Sequence, residues 1–232
     1  MVDMKEVKLE ENERIDDLQY NGLKIIQNKN LYCFTCDAVL LANFVKATYK
    51  DDILDLCSGS GVVGILALAK TNAKSLTCLE MQKVMSDMCQ KTIEMNELTN
   101  KVRVVNARVQ DAVKLLGNEK YSIIVCNPPY KKVDSHKINE AKEIAMSKYE
   151  LELSFVELAT TVNKLLKYGG KFYFVNETNR LSEYFEVLRK LKLEPKRLQL
   201  IYPKEGANSH IALIECQKGA KTGLIVLPPV IL

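Results

Sequence analysis

The feature that most constrains this chain is a regular alternation of strand-like and helical segments that begins near residue 51. Apolar runs of strand length cover residues 53–57, 76–80, 102–105, 123–126 and 171–175. The stretches between them, residues 62–69, 83–96, 107–116 and 151–166, have the apolar spacing of helices. Strands that are apolar on both faces and alternate with helices predict a parallel sheet covered on two sides.

The last part of the chain breaks this alternation. A helix is predicted over residues 179–191, and strands follow at 197–202 and 210–216. The gap between these strands is too short for a crossover helix, so they should form an antiparallel hairpin. We therefore expect an α/β, Rossmann-like fold with a seven-stranded, mostly parallel sheet, an antiparallel C-terminal hairpin and helices on both faces. Five parallel strands closed by such a hairpin resemble the architecture of class I methyltransferases.

The segments before and after this core are also predictable. Residues 1–17 are dense in charge and should be a frayed lead, whereas Asn21-Gly22 between two apolar runs is a strong hairpin signal. A helix is predicted over residues 36–46. We expect a single domain with an N-terminal hairpin and helix extension (1–50), a core (51–218) and a tail (219–232). The apolar end of the tail should lie extended over the domain's own surface.

Composition excludes several classes of protein. The chain has 232 residues, of which 47% are hydrophobic and 27% charged, which fits one large soluble domain. We expect no membrane span, since no apolar run reaches the roughly 18 residues that a span needs, and no signal peptide. The seven cysteines lie mostly in apolar runs, which favours reduced thiols and a cytoplasmic location. The net charge of +4 permits a polyanionic partner without requiring one.

The run Asn127-Pro128-Pro129-Tyr130 ends the buried strand that begins at Tyr121. Proline has no N–H and a fixed φ, and the residue before a proline is held extended, so the carbonyls of Asn127 and Pro128 are free acceptors. They stand beside a side-chain amide and before an aromatic ring. Such a corner suits a planar group that carries an NH2, although a plain turn with two prolines is the alternative.

Residues 55–61 join the first parallel strand to its helix, and Gly59 to Gly64 match the dinucleotide pattern G-x-G-x-x-G. That pattern alone is weak, so NAD is one candidate cofactor. Asp55, at the end of the strand, favours S-adenosylmethionine instead, because a carboxylate there would repel a pyrophosphate but can hold an α-ammonium. Glu80 ends the next strand and suits ribose hydroxyls in either case. Asp111 would accept from the adenine amino group, or it is a solvated carboxylate.

Other motifs carry less. Cys33 and Cys36 are spaced C-x-x-C but lack a second ligand pair, and the two histidines, His136 and His210, are far apart, so we expect no metal site. Residues 131–148 are rich in lysine. They form either a solvated loop or a flap whose lysines neutralise the phosphates of a nucleic acid.

With these residues in view, the chain resembles the amino-group methyltransferases that act on adenine, on the exocyclic nitrogen of guanine or on glutamine. Within that group it is most similar to the bacterial valine-tRNA (tRNA1(Val)) adenine-N6-methyltransferases, which modify the adenine 3′ of the anticodon. The resemblance rests on residues 35–42, 55–64, 127–130 and 209–215 and on the tail. Glutamine-methylating relatives usually carry a preceding helical domain and DNA-modifying relatives a separate recognition domain, and this chain has room for neither.

The resemblance implies S-adenosylmethionine as cofactor and the anticodon arm of a tRNA as partner. The predicted catalytic residues are Asn127, Pro128, Pro129 and Tyr130. The predicted cofactor-binding residues are Thr35, Asp37, Asp55, Cys57, Gly59, Ser60, Gly61, Glu80, Met81, Asp111, Ala112 and Asn127. The predicted RNA contacts are Lys131, Lys132, Lys137 and Lys204. The alternatives are a guanine-N2 or glutamine methyltransferase and a non-catalytic module that binds S-adenosylmethionine or NAD.

Overall fold

The structure, a computed structural model, describes residues 7–31, 33–128 and 153–232. In chain order its strands are β1 (Glu13–Asp17), β2 (Lys24–Asn28), β3 (Asp52–Leu56), β4 (Ser75–Glu80), β5 (Val102–Asn106), β6 (Tyr121–Cys126), β7 (Leu166–Glu177), β8 (Leu193–Tyr202), β9 (Ile211–Lys218), β10 (Ile225–Val226) and β11 (Val230–Ile231). Its helices are α1 (Cys36–Phe44), α2 (Val62–Thr71), α3 (Lys83–Met95), α4 (Ala112–Leu116), α5 (Phe155–Leu165) and α6 (Leu181–Lys190), with 3-10 turns at Val109–Asp111 and Thr178–Arg180.

The predicted sheet is confirmed. Strands β5, β4, β3, β6 and β7 are neighbours in that order and run parallel. β9 pairs antiparallel with both β7 and β8, which makes the last two core strands the expected hairpin. The tail also lies extended against the sheet, because β10 and β11 both pair with β8, so the described sheet has nine strands where seven were predicted.

Alternation along the strands divides the core into two layers. Ile53, Val125 and Tyr173 face one side and pack with the apolar residues of α1, α2 and α3. Leu54 and Phe172, one residue away from those positions, face the other side and pack with α4, α5 and α6. Because successive strand residues point to opposite faces, one run of buried residues supports helices on both sides of the sheet.

Several predicted boundaries differ from the structure. The predicted hairpin exists, and Leu23 N–H donates to the carbonyl of Tyr20 across the Asn21-Gly22 turn (2.9 Å). Its first strand, however, is Glu13–Asp17, inside the segment predicted to be frayed. The helix predicted over 107–116 is a 3-10 turn followed by the short α4. The helix predicted from residue 151 begins at Phe155, where Ser154 and Glu157 form a capping box.

In the described part of the chain no helix is long and apolar enough to cross a bilayer.

A buried ion cluster joins the C-terminal hairpin to α1. The carboxylate of Glu215 on β9 is 3% exposed and pairs with Arg197 of β8 and Lys171 of β7. The Arg197 guanidinium in turn lies 4.3 Å from the ring centroid of Phe44 at the end of α1. The cluster thus holds the β8–β9 hairpin against β7 and α1.

We predict that Glu215→Ala lowers the free energy of unfolding by about 2 kcal/mol, because it leaves two cations without their buried counter-charge. The loss falls below that of a fully buried pair, since Lys171 reaches solvent. Urea unfolding at neutral pH measures it. The control Glu186→Ala removes an exposed carboxylate that pairs with Lys190 and should leave the unfolding midpoint unchanged. Equal midpoints for the two variants would contradict the assigned role of the cluster.

Candidate active site

The carboxyl ends of three neighbouring strands bring the predicted site residues together. Leu56, the last residue of β3, pairs with Leu79 of β4 on one side and with Cys126 of β6 on the other. Glu80 and Asn127, each one residue further along, therefore flank the loop that starts at Cys57. Open α/β sheets bind ligands beyond this edge, so three separately predicted segments define one site.

The loop after β3 needs its glycines for conformation and for space. Gly59 (φ 55°) and Gly61 (φ 95°) adopt positive φ, and Cys57 does so as well at 58°. A Cβ on Gly61 would lie 2.8 Å from the Sγ of Cys89 on α3. The loop backbone is therefore pressed against α3, in a conformation that a side chain at position 61 would strain.

Glu80 ties this loop to the end of β4. Its side chain accepts the N–H of Gly59 (2.9 Å) through Oε2 and the N–H of Gln82 (2.8 Å) through Oε1. Glu80 is 6% exposed, and burial raises the pKa of its carboxyl group. Each carboxylate oxygen can accept more than one hydrogen bond, so the predicted contact with ribose hydroxyls is compatible with these two bonds.

Asp55 lies beneath the loop. Its Oδ2 accepts the N–H of Gly64 in the first turn of α2 (2.8 Å), whereas Oδ1 has no hydrogen-bond partner among the described residues. Asp55 is 1% exposed, and burial raises its pKa to about 7. A buried carboxylate oxygen with an open acceptor position fits a cationic or N–H-bearing ligand, while the contact with an α-ammonium stays a prediction.

Gln27 of β2 links the glycine loop to the segment before α1, and it was not among the predicted site residues. The Gln27 side chain donates from Nε2 to Ser60 Oγ (2.9 Å) and accepts the N–H of Phe34 (3.1 Å). Thr35 is the exposed residue that precedes α1, and Asp37 in its first turn is 6% exposed. The one available signal for Gln27 was a lone amide directly after two apolar strand residues.

Asp111 and Ala112, which were predicted to contact the adenine, follow β5, the neighbour of β4. Asn106, at the end of β5, donates from Nδ2 to the carbonyls of Glu80 (2.8 Å) and Met81 (3.0 Å) and so closes this edge. Asn106 was not among the predicted site residues. Asp111 is exposed at the end of the following 3-10 turn, and Ala112 beside it is fully buried.

The remaining predicted residues are placed only in part. Asn127 is half-buried and Pro128 is buried, directly after β6. Pro129, Tyr130, Lys131, Lys132 and Lys137 lie outside the described residues. Lys204 is exposed in the loop between β8 and β9. Because Ile211 pairs with Glu177 at the carboxyl end of β7, this loop lies at the same end of the sheet as the site.

Comparison with solved structures supports the fold. The chain is similar to a predicted O-methyltransferase from Agrobacterium tumefaciens, with a TM-score of 0.67 and 21% identity over 84% of this chain and 86% of that one. It is also similar to Pyrococcus horikoshii TYW2 in complex with MeSAdo, with a TM-score of 0.64 and 13% identity over 91% and 73% of the two chains. The sheet order, the glycine loop and these likenesses define a class I methyltransferase fold.

Sequence comparison then gives the family. The methyltransferase small domain matches residues 34–194, and the chain belongs to that family. It is 27% identical to the tRNA1(Val) (adenine(37)-N6)-methyltransferase of Shewanella sp. strain W3-18-1, over 84% of this chain and 80% of the relative. It is 29% identical to the enzyme of the same name from Shewanella sediminis, over 68% of this chain and 65% of the relative. The prediction of a methyltransferase is thereby confirmed.

The raised pKa of Asp55 predicts how the free energy of unfolding depends on pH. The folded protein holds this proton more tightly than the unfolded chain, since the pKa rises from 3.8 to about 7 on folding. The contribution of Asp55 to the free energy of unfolding therefore falls as the pH rises through that interval. We predict that the stability of Asp55→Asn relative to the wild type is greater at pH 8 than at pH 5, by roughly 2 kcal/mol.

Urea unfolding of both proteins at the two pH values measures this difference. Asp87→Asn is the matched control, because Asp87 is an exposed residue of α3 that pairs with Lys83. It should keep the pH dependence of the wild type. If Asp55→Asn also kept that dependence, the carboxyl group of Asp55 would not be the group that titrates.

Proposed function

We propose that this protein transfers a methyl group from S-adenosylmethionine to the exocyclic N6 of an adenine in tRNA. The observation that carries the proposal is the pairing of Leu56 with Cys126, which sets Asn127 beside the glycine loop at the carboxyl edge of the sheet. The corner proposed to bind the substrate amine and the loop proposed to bind the nucleoside of the cofactor then lie side by side. When bound, the cofactor supplies a methyl group activated by a sulfonium.

The residues of the cofactor half divide into three groups. We assign Glu80 to the ribose hydroxyls, and Asp111 and Ala112 to the adenine. Gly59, Ser60 and Gly61 are assigned to backbone contacts with the ligand, and Cys57 and Met81, which follow β3 and β4, are assigned to the cofactor as well. Asp55, Thr35 and Asp37 are assigned to the methionine part, because Asp55 is a buried acid with an open acceptor and Gln27 links the stretch before α1 to the loop.

Asn127 and Pro128 act on the substrate amine. The N6 lone pair of adenine is delocalised into the ring, so the amine is a poor nucleophile. Acceptance of its two hydrogens by the Asn127 side-chain oxygen and the Pro128 carbonyl favours a tetrahedral nitrogen whose lone pair points at the methyl group. No strong general base is required, since the proton leaves after the nitrogen has become cationic.

The position of Asn127 and Pro128 also determines how the target base must approach. A stacked base cannot reach it, so the adenine must leave its stack, and we assign Tyr130 to hold the base face to face. The Shewanella relatives bear the name of a tRNA1(Val) adenine-N6-methyltransferase, which favours the adenine 3′ of the anticodon as target. Lys131, Lys132, Lys137 and Lys204 are the proposed contacts to the phosphates of the anticodon arm.

We further propose that the chain is a single domain with an N-terminal extension (1–50), a catalytic core (51–218) and a tail (219–232). We also propose that the protein works in the cytoplasm. The pairing of the tail with β8 and the hydrogen bonds between β2 and α3 support treating the three parts as one unit.

The proposal is tested by incubating the protein with radiolabelled S-adenosylmethionine and tRNA from a strain that lacks this gene. Mass spectrometry of the digested nucleosides should show N6-methyladenosine. Appearance of N2-methylguanosine, or label in protein glutamine, would select the corresponding rival activity. Equilibrium dialysis with S-adenosylmethionine and with NAD tests the non-catalytic rival, and binding of NAD alone would overturn the proposal.

We predict that Asn127→Ala lowers kcat by roughly 100-fold or more, as the loss of one preorganised hydrogen-bonding group does in other enzymes. Binding of S-adenosylhomocysteine should change much less. Single-turnover methylation of tRNA measures the first quantity and calorimetry the second. Asn100→Ala, an exposed asparagine at the opposite end of the sheet, is the control and should retain wild-type turnover. Near-wild-type turnover of folded Asn127→Ala would refute the mechanism.

Stacking predicts a separate effect at position 130. An aromatic ring against a base is worth roughly 1–3 kcal/mol, so Tyr130→Ala should lower kcat/KM for tRNA by about 10- to 100-fold. Tyr130→Phe keeps the ring and should stay within about threefold of the wild type. Steady-state assays with tRNA as the varied substrate distinguish the two, and equal losses in both variants would assign the effect to the hydroxyl group instead.

A further inference from the structure

The side chain of Gln27 is buried in β2, although it is an uncharged amide that could reach water at the surface. It is 2% exposed and follows Ile25 and Ile26, both of which are fully buried. A buried amide is costly unless both of its ends are hydrogen-bonded. Both ends of Gln27 are satisfied, and they bond to two segments that are distant from each other in the chain.

The two partners of Gln27 belong to the two segments that we assign to the cofactor, the glycine loop and the stretch before α1. Nε2 donates to Oγ of Ser60, which is itself 5% exposed, and Oε1 accepts the N–H of Phe34, next to Thr35 at the start of α1. One amide group thus fixes the distance between the glycine loop and the segment before α1.

The hairpin that carries Gln27 is itself firmly attached. The N–H of Ile26 donates to Thr92 Oγ1 (3.1 Å), and Asn96 exchanges two hydrogen bonds with the backbone of Lys24 (2.9 and 2.8 Å). Thr92 and Asn96 belong to α3 and its end, and α3 begins three residues after Glu80. Gln27 therefore belongs to a hairpin that is held firmly to α3.

The loop has little intrinsic preference for its conformation. Ser60 stands between Gly59 and Gly61, both at positive φ, and glycine loses more freedom on ordering than any other residue. A ligand that had to order this loop would bind less tightly by the cost of doing so. Holding Ser60 in place in the free protein removes that cost from binding.

We propose that Gln27 is a positioning residue for the cofactor, which holds the glycine loop and the start of α1 in the geometry that binds S-adenosylmethionine. The inference rests on the proposed function. It makes cofactor affinity depend on the N-terminal hairpin, although no residue of the hairpin is assigned to contact the reacting atoms.

The test is Gln27→Met, which keeps the length of the side chain and removes both hydrogen bonds. Calorimetric titration of the full chain with S-adenosylhomocysteine should show a Kd raised about tenfold. The KM for S-adenosylmethionine should rise in parallel, while kcat at saturating cofactor and the KM for tRNA stay within about twofold. A fall in kcat with an unchanged KM for the cofactor would overturn the assignment.

Thr92→Val is the matched control, because it removes a buried hydrogen bond from the same hairpin without touching Gln27. It should lower stability but leave the Kd for S-adenosylhomocysteine unchanged, because the two hydrogen bonds of Asn96 still attach the hairpin to the end of α3. Equal weakening of binding by both variants would reduce the role of Gln27 to general stability and overturn the proposal. Circular dichroism establishes that each variant is folded.

Ser60→Ala breaks the same hydrogen bond from the loop side, and it replaces Gln27→Met if that variant does not fold. Where both fold, the double variant should bind no more weakly than the weaker of the two single variants, since one contact is removed twice. Additive losses would contradict the bridge. Failure of the wild-type protein to bind S-adenosylhomocysteine would instead refute the proposed cofactor and is a distinct result.

Discussion

Two buried carboxylates hold the glycine loop and the helix after it by their backbone N–H groups. Asp55 accepts from Gly64, and Glu80 accepts from Gly59 and Gln82. Charged acceptors make strong hydrogen bonds in a region that water does not reach, but burial also disfavours their charged form. These bonds help to hold the loop in its positive-φ conformation.

Strand order determines what the loop can be used for. β3 lies between β4 and β6, so the acid at the end of β4 and the amide at the end of β6 lie on opposite sides of the same loop. With β3 at an edge, only one of the two would lie beside it. A donor of a group and its acceptor can therefore meet over one loop, and the chain needs only short connections to bring them there.

The parts of this arrangement that sequence could predict are those written in local patterns. Asp55, Glu80 and Asn127 each stand at the end of an apolar run, so their common edge follows from the parallel sheet. β1 was missed because Glu13–Asp17 is mostly charged, and its pairing depends on backbone bonds and on the contact of Glu13 with Lys91. Gln27 was missed because its partner Ser60 is 33 residues away, and no local period encodes such a contact.

The two acids differ in how far the protein itself satisfies them. Both oxygens of Glu80 accept backbone N–H groups, which offsets much of the cost of burying the carboxylate. Asp55 has one satisfied oxygen and one without a partner among the described residues, and its pKa is the one raised to about 7. A fold selected for stability alone would fill that acceptor or replace the acid with an amide. An unsatisfied acceptor under the loop is instead what a site retains when its missing hydrogen-bond donor arrives with a ligand, which is why Asp55 is the buried acid that we assign to the cofactor.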